Sequence, residues 1–574
     1  MTQTAPDTSR RAPLLHLSHP DHHIPGFEFP ENASEPPSTK ICLLGFLIAV
    51  AIALLGALLH YLGNDAPIPS VAFPWILPFA ALLASIAIMP FAAKHFWEKN
   101  YQNVSIGLGL IVISYYIFGL SAQRMIAETF ADYISFIFLL GSLFVVSGGV
   151  IIRIHRKATP AANVALLLIG ALLANVFGTT GASMLLIRPY LRLNKRRPKG
   201  VRPFHVVFFI FAVANVGGAL TPVGDPPLFL GYLKGVPFWW VVQHSWPIWL
   251  TAVGCLAAAF FVLDTLHARR ESAAVAATAE SNEESADPPA SRNDAGPQPF
   301  EIVSIFGAAN IVFIAMILVG VFLDAPYREI LMAAAAFGSL ATTSRRIYGE
   351  NHFNYAPIKE VALLFIGIFA TMIPAMNYLH NHANDPLFKR SLNTPGQFYF
   401  ASGALSSVLD NAPTYVTFLE TALGKIASQQ PVIDREKSLI STRALTLTDK
   451  DHVGLTGDQS THLKELHATL LRYHGEELAN GKLDPSEAEI GYILDDSGAL
   501  TDGTYPLYKF LIAVSMGAVF FGACTYIGNG PNFMVKSIAD HAGIKTPSFF
   551  AYIFYFTLPL LLPILILCWA IFLR

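Results

Sequence analysis

Runs of about 20 apolar residues, each long enough to cross a bilayer as a helix, follow one another along most of this chain with short polar or basic turns between them. By hydropathy they lie near 41–63, 69–92, 103–122, 131–152, 204–234, 237–264, 300–323, 327–344, 358–378, 506–540 and 548–573. Two further apolar segments, 159–190 and 398–423, are interrupted in the middle. The first is broken at Asn175-Val-Phe-Gly-Thr-Thr-Gly-Ala-Ser183, the second at Leu409-Asp-Asn-Ala-Pro413. The segment 159–190 is flanked by Arg153-Ile-His-Arg-Lys157 and by the basic run from Arg192 to Arg202. Basic loops stay cytoplasmic, so both flanks belong on one side, which a re-entrant hairpin with its tip at Gly178-Thr-Thr-Gly181 satisfies.

The chain also contains a doubled motif. Gly218-Ala-Leu-Thr-Pro-Val-Gly-Asp-Pro-Pro-Leu-Phe-Leu230 aligns without a gap with Gly522-Ala-Cys-Thr-Tyr-Ile-Gly-Asn-Gly-Pro-Asn-Phe-Met534. Both copies interrupt apolar runs. Paired broken helices in corresponding halves are the best sequence pointer to a transporter's binding site. The predicted fold is an all-α polytopic membrane protein. It has two inverted repeats (69–264 and 300–573), about 11 transmembrane helices, two re-entrant hairpins and two broken helices (204–234 and 506–540).

Around these elements the pattern predicts a disordered cytoplasmic tail at 1–40, containing His16, His19, His22 and His23, and a first membrane half over 41–264. A flexible cytoplasmic linker follows at 265–299, and the second half, 300–574, includes a polar extracytoplasmic insert at 425–504. The tail lacks the apolar core of a cleavable signal peptide. The expected location is a cell membrane of the bacterial inner-membrane type, multi-pass, with a cytoplasmic N-terminus.

Composition agrees: 53% of the 574 residues are hydrophobic and 14% charged, against about 25% charged in a soluble domain. The net charge of −2 says nothing useful about partners; the expected partners are membrane lipid and a small ion or carboxylate, with no nucleic acid. Cys42, Cys255, Cys524 and Cys568 have neither disulfide nor zinc-site spacing. No phosphate-binding loop or HExxH motif occurs, so ATP-driven transport and membrane proteolysis have no support and no enzymatic activity is expected.

An ionised side chain in hydrocarbon costs from about 2.5 to more than 10 kcal/mol. Asp225 and Asp410 are the acids that fall in helix breaks. Thr179, Thr180, Ser183, Thr221, Asn411, Thr414, Thr525, Asn529 and Asn532 lie near the same breaks and offer neutral oxygens. Gly224 and Gly528 leave backbone carbonyls open. Hard cations take oxygen ligands, and Asp225, Asp410, Asn411 and Asn529 are the candidate Na⁺ ligands. The plainer alternative is that each Asp caps a half-helix. Arg188, Lys234, Asp264 and His205 are expected to snorkel or lie at the interface, and Trp239, Trp240, Trp246 and Trp249 to form an aromatic belt.

The paired tips and breaks resemble the ion transporter superfamily, which includes divalent anion/sodium symporters, citrate carriers, arsenite exporters and NhaD-type sodium/proton antiporters. Thr221-Pro-Val-Gly-Asp225 and Ser406-Ser-Val-Leu-Asp-Asn411 look most like the NhaD-type motifs, and citrate-transporter-like proteins are the other close match. The resemblance covers 41–574 apart from the linker and the insert. It implies a homodimer with a scaffold domain and an elevator-like transport domain carrying both hairpins. One departure is plain: NhaD-type antiporters carry Asp-Asn at the first tip, where this chain has Gly178-Thr179.

The expected function is therefore sodium/proton antiport with Asp225 and Asp410 as exchanging carboxylates, no cofactor, and Na⁺ and H⁺ as the transported ions. The alternatives are sodium- or proton-coupled citrate/dicarboxylate transport and a non-transport sensor or scaffold. Citrate would bring up to three negative charges beside two acids, and each like-charge contact at about 4 Å costs around 4 kcal/mol at an effective dielectric near 20.

Overall fold

The computed structural model describes residues 15–17, 39–63, 69–154, 158–195, 197–283, 303–351, 353, 355–382, 392–498, 500–501 and 504–574. Among them nine helices are long and apolar enough to cross a membrane, and the chain is a helical multi-pass membrane protein. Eight of the nine coincide with expected spans; the ninth is the Pro160–Lys195 segment. The remaining three expected spans are shorter helices, Asn310–Val321, Tyr327–Thr342 and Tyr508–Phe521. The first of these is cut short because part of its apolar run becomes the strand Val303–Phe306, and the last because the chain unwinds after Phe521.

Pro160–Lys195 is a hairpin rather than one rod. Gly178 has φ 70° and ψ 158°, a region open essentially to glycine alone. Asn163 and Asn194 exchange reciprocal amide hydrogen bonds of 2.8 and 2.9 Å, although 31 residues of straight helix would hold them about 46 Å apart. The second segment folds back as well. Pro395–Ser406 and Asn411–Gly424 are joined by a four-residue turn, and the Phe398 and Phe418 rings meet edge to face with centroids 6.2 Å apart.

Each doubled motif interrupts its helix where expected. Pro203–Ala212 is buried on every side, as a helix apolar all round should be. It passes through a 3₁₀ turn, Val216–Leu220, and restarts as Pro226–Leu233. In the second half Tyr508–Phe521 is followed by Gly522–Cys524 and restarts as Gly530–His541.

Several expectations are corrected. The linker is not irregular from residue 265, because one helix runs from Phe238 to Glu283; its Ala- and Glu-rich sequence has high helix propensity. Leu15–Leu17, within the expected tail, is a strand pairing parallel with Val303–Phe306, which also pairs antiparallel with Ile151–Ile154. The rest of the tail up to residue 38, with His19, His22 and His23, lies outside the described residues, as does 284–300.

Asp264 and His205 are fully buried rather than interfacial. Asp264 ion-pairs with Arg197, lies 3.4 Å from His205 Nε2 and accepts from Asn163 Nδ2 at 2.8 Å. This cluster ties the base of the first hairpin to the long helix. Lys234 pairs with Glu128 and Asp132, each at 3.1 Å. Trp240 and Trp249 are buried, leaving Trp239 and Trp246 exposed as belt residues. Cys524 and Cys568 are buried free thiols, and Cys255 is half-buried.

The 425–504 insert is folded. Gln430–Ser441, Gly457–Ala479 and Glu487–Ile493 bury Val432, Ile433, Leu463, Leu466, Leu470 and Ile490 between them.

Candidate functional site

Breaking a helix inside a membrane strands backbone groups that have no water to turn to, and the way each break satisfies them builds the site. At the first break, the Gly217 carbonyl accepts from Asn175 Nδ2 at 2.7 Å and from Trp249 Nε1 at 2.8 Å. Asn175 Oδ1 accepts from the Leu220 N–H, and the Gly224 carbonyl accepts from the Thr179 N–H at 2.8 Å. At the second break, Asn532 Nδ2 donates to the carbonyls of Gly522 and Thr525 at 2.8 and 2.9 Å. Tyr552 and Thr557 cover Ala523 and Cys524.

The two breaks dock on their hairpin tips in the same way. Thr221 Oγ1 donates to the Asn175 carbonyl at 2.7 Å and accepts from the Gly224 N–H. Thr525 Oγ1 donates to the Ser407 carbonyl at 2.6 Å and accepts from the Gly528 N–H. Gly218 and Gly224 touch backbone to backbone, as do Gly522 and Gly528. A Cβ at Gly218, Gly224 or Gly528 would run into a backbone oxygen of a neighbouring segment, which is why these positions are glycine, and one at Gly522 would be tightly packed against Asn215 Oδ1.

All four interruptions converge on Asp225, which is buried. Its Oδ1 accepts from Thr179 Oγ1 at 2.7 Å and from Asn529 Nδ2 at 3.2 Å, and its Oδ2 accepts a short hydrogen bond from Asn411 Nδ2. Thr179 sits at the first tip, Asn411 at the second tip and Asn529 on the second broken helix. No ion pair reaches Asp225 among the described residues. Asn411 Oδ1 is buried beside it without a hydrogen-bond partner. Asp225 precedes Pro226–Leu233 without using its side chain as a cap.

The other candidates divide by what they touch. Asp410 does cap its helix: its Oδ1 accepts from the Ala412 N–H at 3.1 Å, while its carbonyl accepts from Thr414 Oγ1. Thr221, Gly224, Thr525 and Gly528 fix the crossing of tip and break. Thr180 lines a small, mostly apolar cavity of about 90 Å³ with Gly178, Pro226, Gly530 and Pro531. Ser183 is buried one turn beyond Thr179, its hydroxyl unpartnered.

Asn215 was not foreseen. Its Nδ2 donates to Asn532 Oδ1 at 2.6 Å and its Oδ1 accepts from Asn529 at 3.2 Å, so it carries the second broken helix onto the first. Asn175 holds its own break in a comparable way. The available signal was an amide inside an apolar run, the criterion already applied to the acids.

A second cavity, of about 1690 Å³, lies between the insert and the membrane helices and includes neither Asp225 nor any of its three partners. Eleven acidic and six basic side chains line it, Glu128, Asp132, Glu420 and Glu487 among the acids. This excess favours cations over anions within it.

No curated protein matches the chain. Over residues 69–573 it matches the family described as "Putative citrate transport". That span takes in both hairpins, both breaks and every residue around Asp225, and the chain belongs to this family of membrane transporters.

Proposed function

We propose that the protein is a sodium/proton antiporter in which Asp225 alternately holds a proton and Na⁺. The observation that carries this reading is the buried Asp225 carboxylate, whose hydrogen-bond partners are the neutral Thr179, Asn411 and Asn529. A buried ionised carboxylate without a countercharge is costly, and binding either H⁺ or a metal cation removes that cost. The unpartnered Asn411 Oδ1 and the Thr179 hydroxyl supply neutral oxygens for the cation. Asp410 joins as a second acid at the adjacent tip. The acidic lining of the large cavity supports a cation as cargo.

The same reading takes segments 69–264 and 300–573 as inverted repeats with two opposed re-entrant hairpins, assembled as a homodimer in a cell membrane with the N-terminus cytoplasmic. The matched Thr221–Asn175 and Thr525–Ser407 contacts support the repeat. A second reading, sodium- or proton-coupled citrate or dicarboxylate transport, draws on the family description. It also draws on the half-helices starting at Pro226, Asn411 and Gly530, whose N-terminal ends favour negative charge.

The test is reconstitution into proteoliposomes with an imposed pH gradient, followed by Na⁺, Li⁺, K⁺ or labelled citrate. Antiport gives Na⁺-induced dequenching of a pH-gradient dye that disappears in Asp225→Asn. Citrate accumulation without Na⁺/H⁺ exchange would replace this reading by the second, and no flux of either kind would favour a sensor or scaffold.

A further inference from the structure

The insert meets the membrane helices where the first broken helix ends. After Pro226–Leu233 the chain turns at Gly235, which has φ 93°. A Cβ there would lie 2.9 Å from Glu487 Cγ and 3.1 Å from its Oε2, so glycine is what lets the Glu487 carboxylate rest against this turn. His474 faces the same point. It interrupts Gly457–Ala479 with φ −129° and ψ 18°, its ring is buried, and the Gly235 backbone lies beside it. His474 Nδ1 is 2.6 Å from Glu477 Oε2 and 3.6 Å from Glu487 Oε2, and the three ligand atoms fall within 4.8 Å of one another.

We propose that His474, Glu477 and Glu487 form a binding site for one divalent transition-metal cation of the Zn²⁺ type, within the insert and beside the turn that ends the first broken helix. One imidazole nitrogen with two carboxylates is a donor set such ions accept, with a fourth position left to water. Bond lengths of about 2.0–2.1 Å in a tetrahedral site put ligand atoms about 3.3 Å apart, and the observed 2.6 and 3.6 Å lie on either side of that value. Ca²⁺ and Mg²⁺ prefer oxygen-only shells with more ligands. The competing view is a hydrogen-bonded His–Glu pair with no metal, and the two differ in what they bind.

The test is titration of metal-stripped, full-length protein in detergent with Zn²⁺, and with Co²⁺ read by its tetrahedral absorption band. One site per chain is expected to vanish in His474→Ala and to weaken by more than about tenfold in Glu487→Gln, the loss already typical for an outer partner of a metal-bound histidine. Glu477→Gln, altering the most exposed of the three, keeps the test open should His474→Ala fail to fold. Equal binding by wild type and variants, which would place the metal elsewhere (the tail histidines, for example), overturns the proposal, and so does no binding by wild type.

Discussion

Asp225 and Asp410 are both acids in membrane-embedded helix breaks, one in each half, yet their surroundings have little in common. Asp410 serves its own segment, capping the helix it precedes through the Ala412 N–H. Asp225 leaves its own helix uncapped and accepts from both hairpin tips and from the other broken helix. In the gap-free alignment of the doubled motif, Asn529 occupies the position of Asp225, and the structure bonds the two directly at 3.2 Å. Equivalent positions have thus become acceptor and donor of one contact. An intramembrane acid becomes a candidate carrier of charge when neutral partners from several elements gather around it, and not merely because it lies in a break.

The largest expected effect comes from removing the charge that this comparison singles out. Asp225→Asn should cost about 4 kcal/mol of cation attraction at about 4 Å and an effective dielectric near 20, about a thousandfold in affinity. Asp410→Asn should lower Na⁺-driven proton movement by no more than about tenfold, equivalent to about 1.4 kcal/mol. Equal loss in the two variants, measured in the same proteoliposomes, would erase the distinction.

The tips provide the next contrast. Gly178 stands where the second tip has Asp410, but its φ of 70° requires glycine, whereas Asp410 at φ −57° is unstrained. Gly178→Ala should destabilise the first hairpin by about 1–3 kcal/mol, seen as a lower melting temperature in detergent. Asp410→Ala should remove a helix cap worth about 0.5–2 kcal/mol, a smaller shift in the same measurement.

The smallest effect concerns an acid that, unlike Asp225, has a basic partner. In the insert, Glu436 lies 2.7 Å from His467. Burial raises Glu436, partly opposed by His467; burial alone would lower His467, but its hydrogen bond to Glu436 and the charge there raise it. Both groups hold protons more tightly when folded, so the contribution of Glu436 is full below the ordinary carboxyl value of 4.5 and that of His467 below 6.5, and each fades as pH rises through its raised folded value. Hydrogen exchange of the insert in the intact protein, corrected for intrinsic rates, should therefore show less protection at pH 8.5 than at pH 6, and His467→Gln should flatten the difference.

Much of this was legible from residue order. Apolar runs marked the spans, because a span must be apolar over a fixed length. Gly178 and the doubled Gly, Pro and Thr positions marked the interruptions, because such residues have no place in a continuous membrane helix. The helix through 265–283 was missed because a polar Ala/Ser/Glu stretch reads equally as linker or as exposed helix. Asp264 and His205 were misplaced because position near a segment end says nothing about a partner such as Arg197 from another segment.

What the sequence alone determined was which residues break the helices, since propensity and polarity are local properties. Only the tertiary structure decided which of those residues meet. It made Asp410 a cap and gathered Thr179, Asn411 and Asn529 around Asp225. Those partners lie 46, 186 and 304 residues away along the chain, and contacts over such distances are set by how the hairpins and breaks dock, which no local pattern encodes.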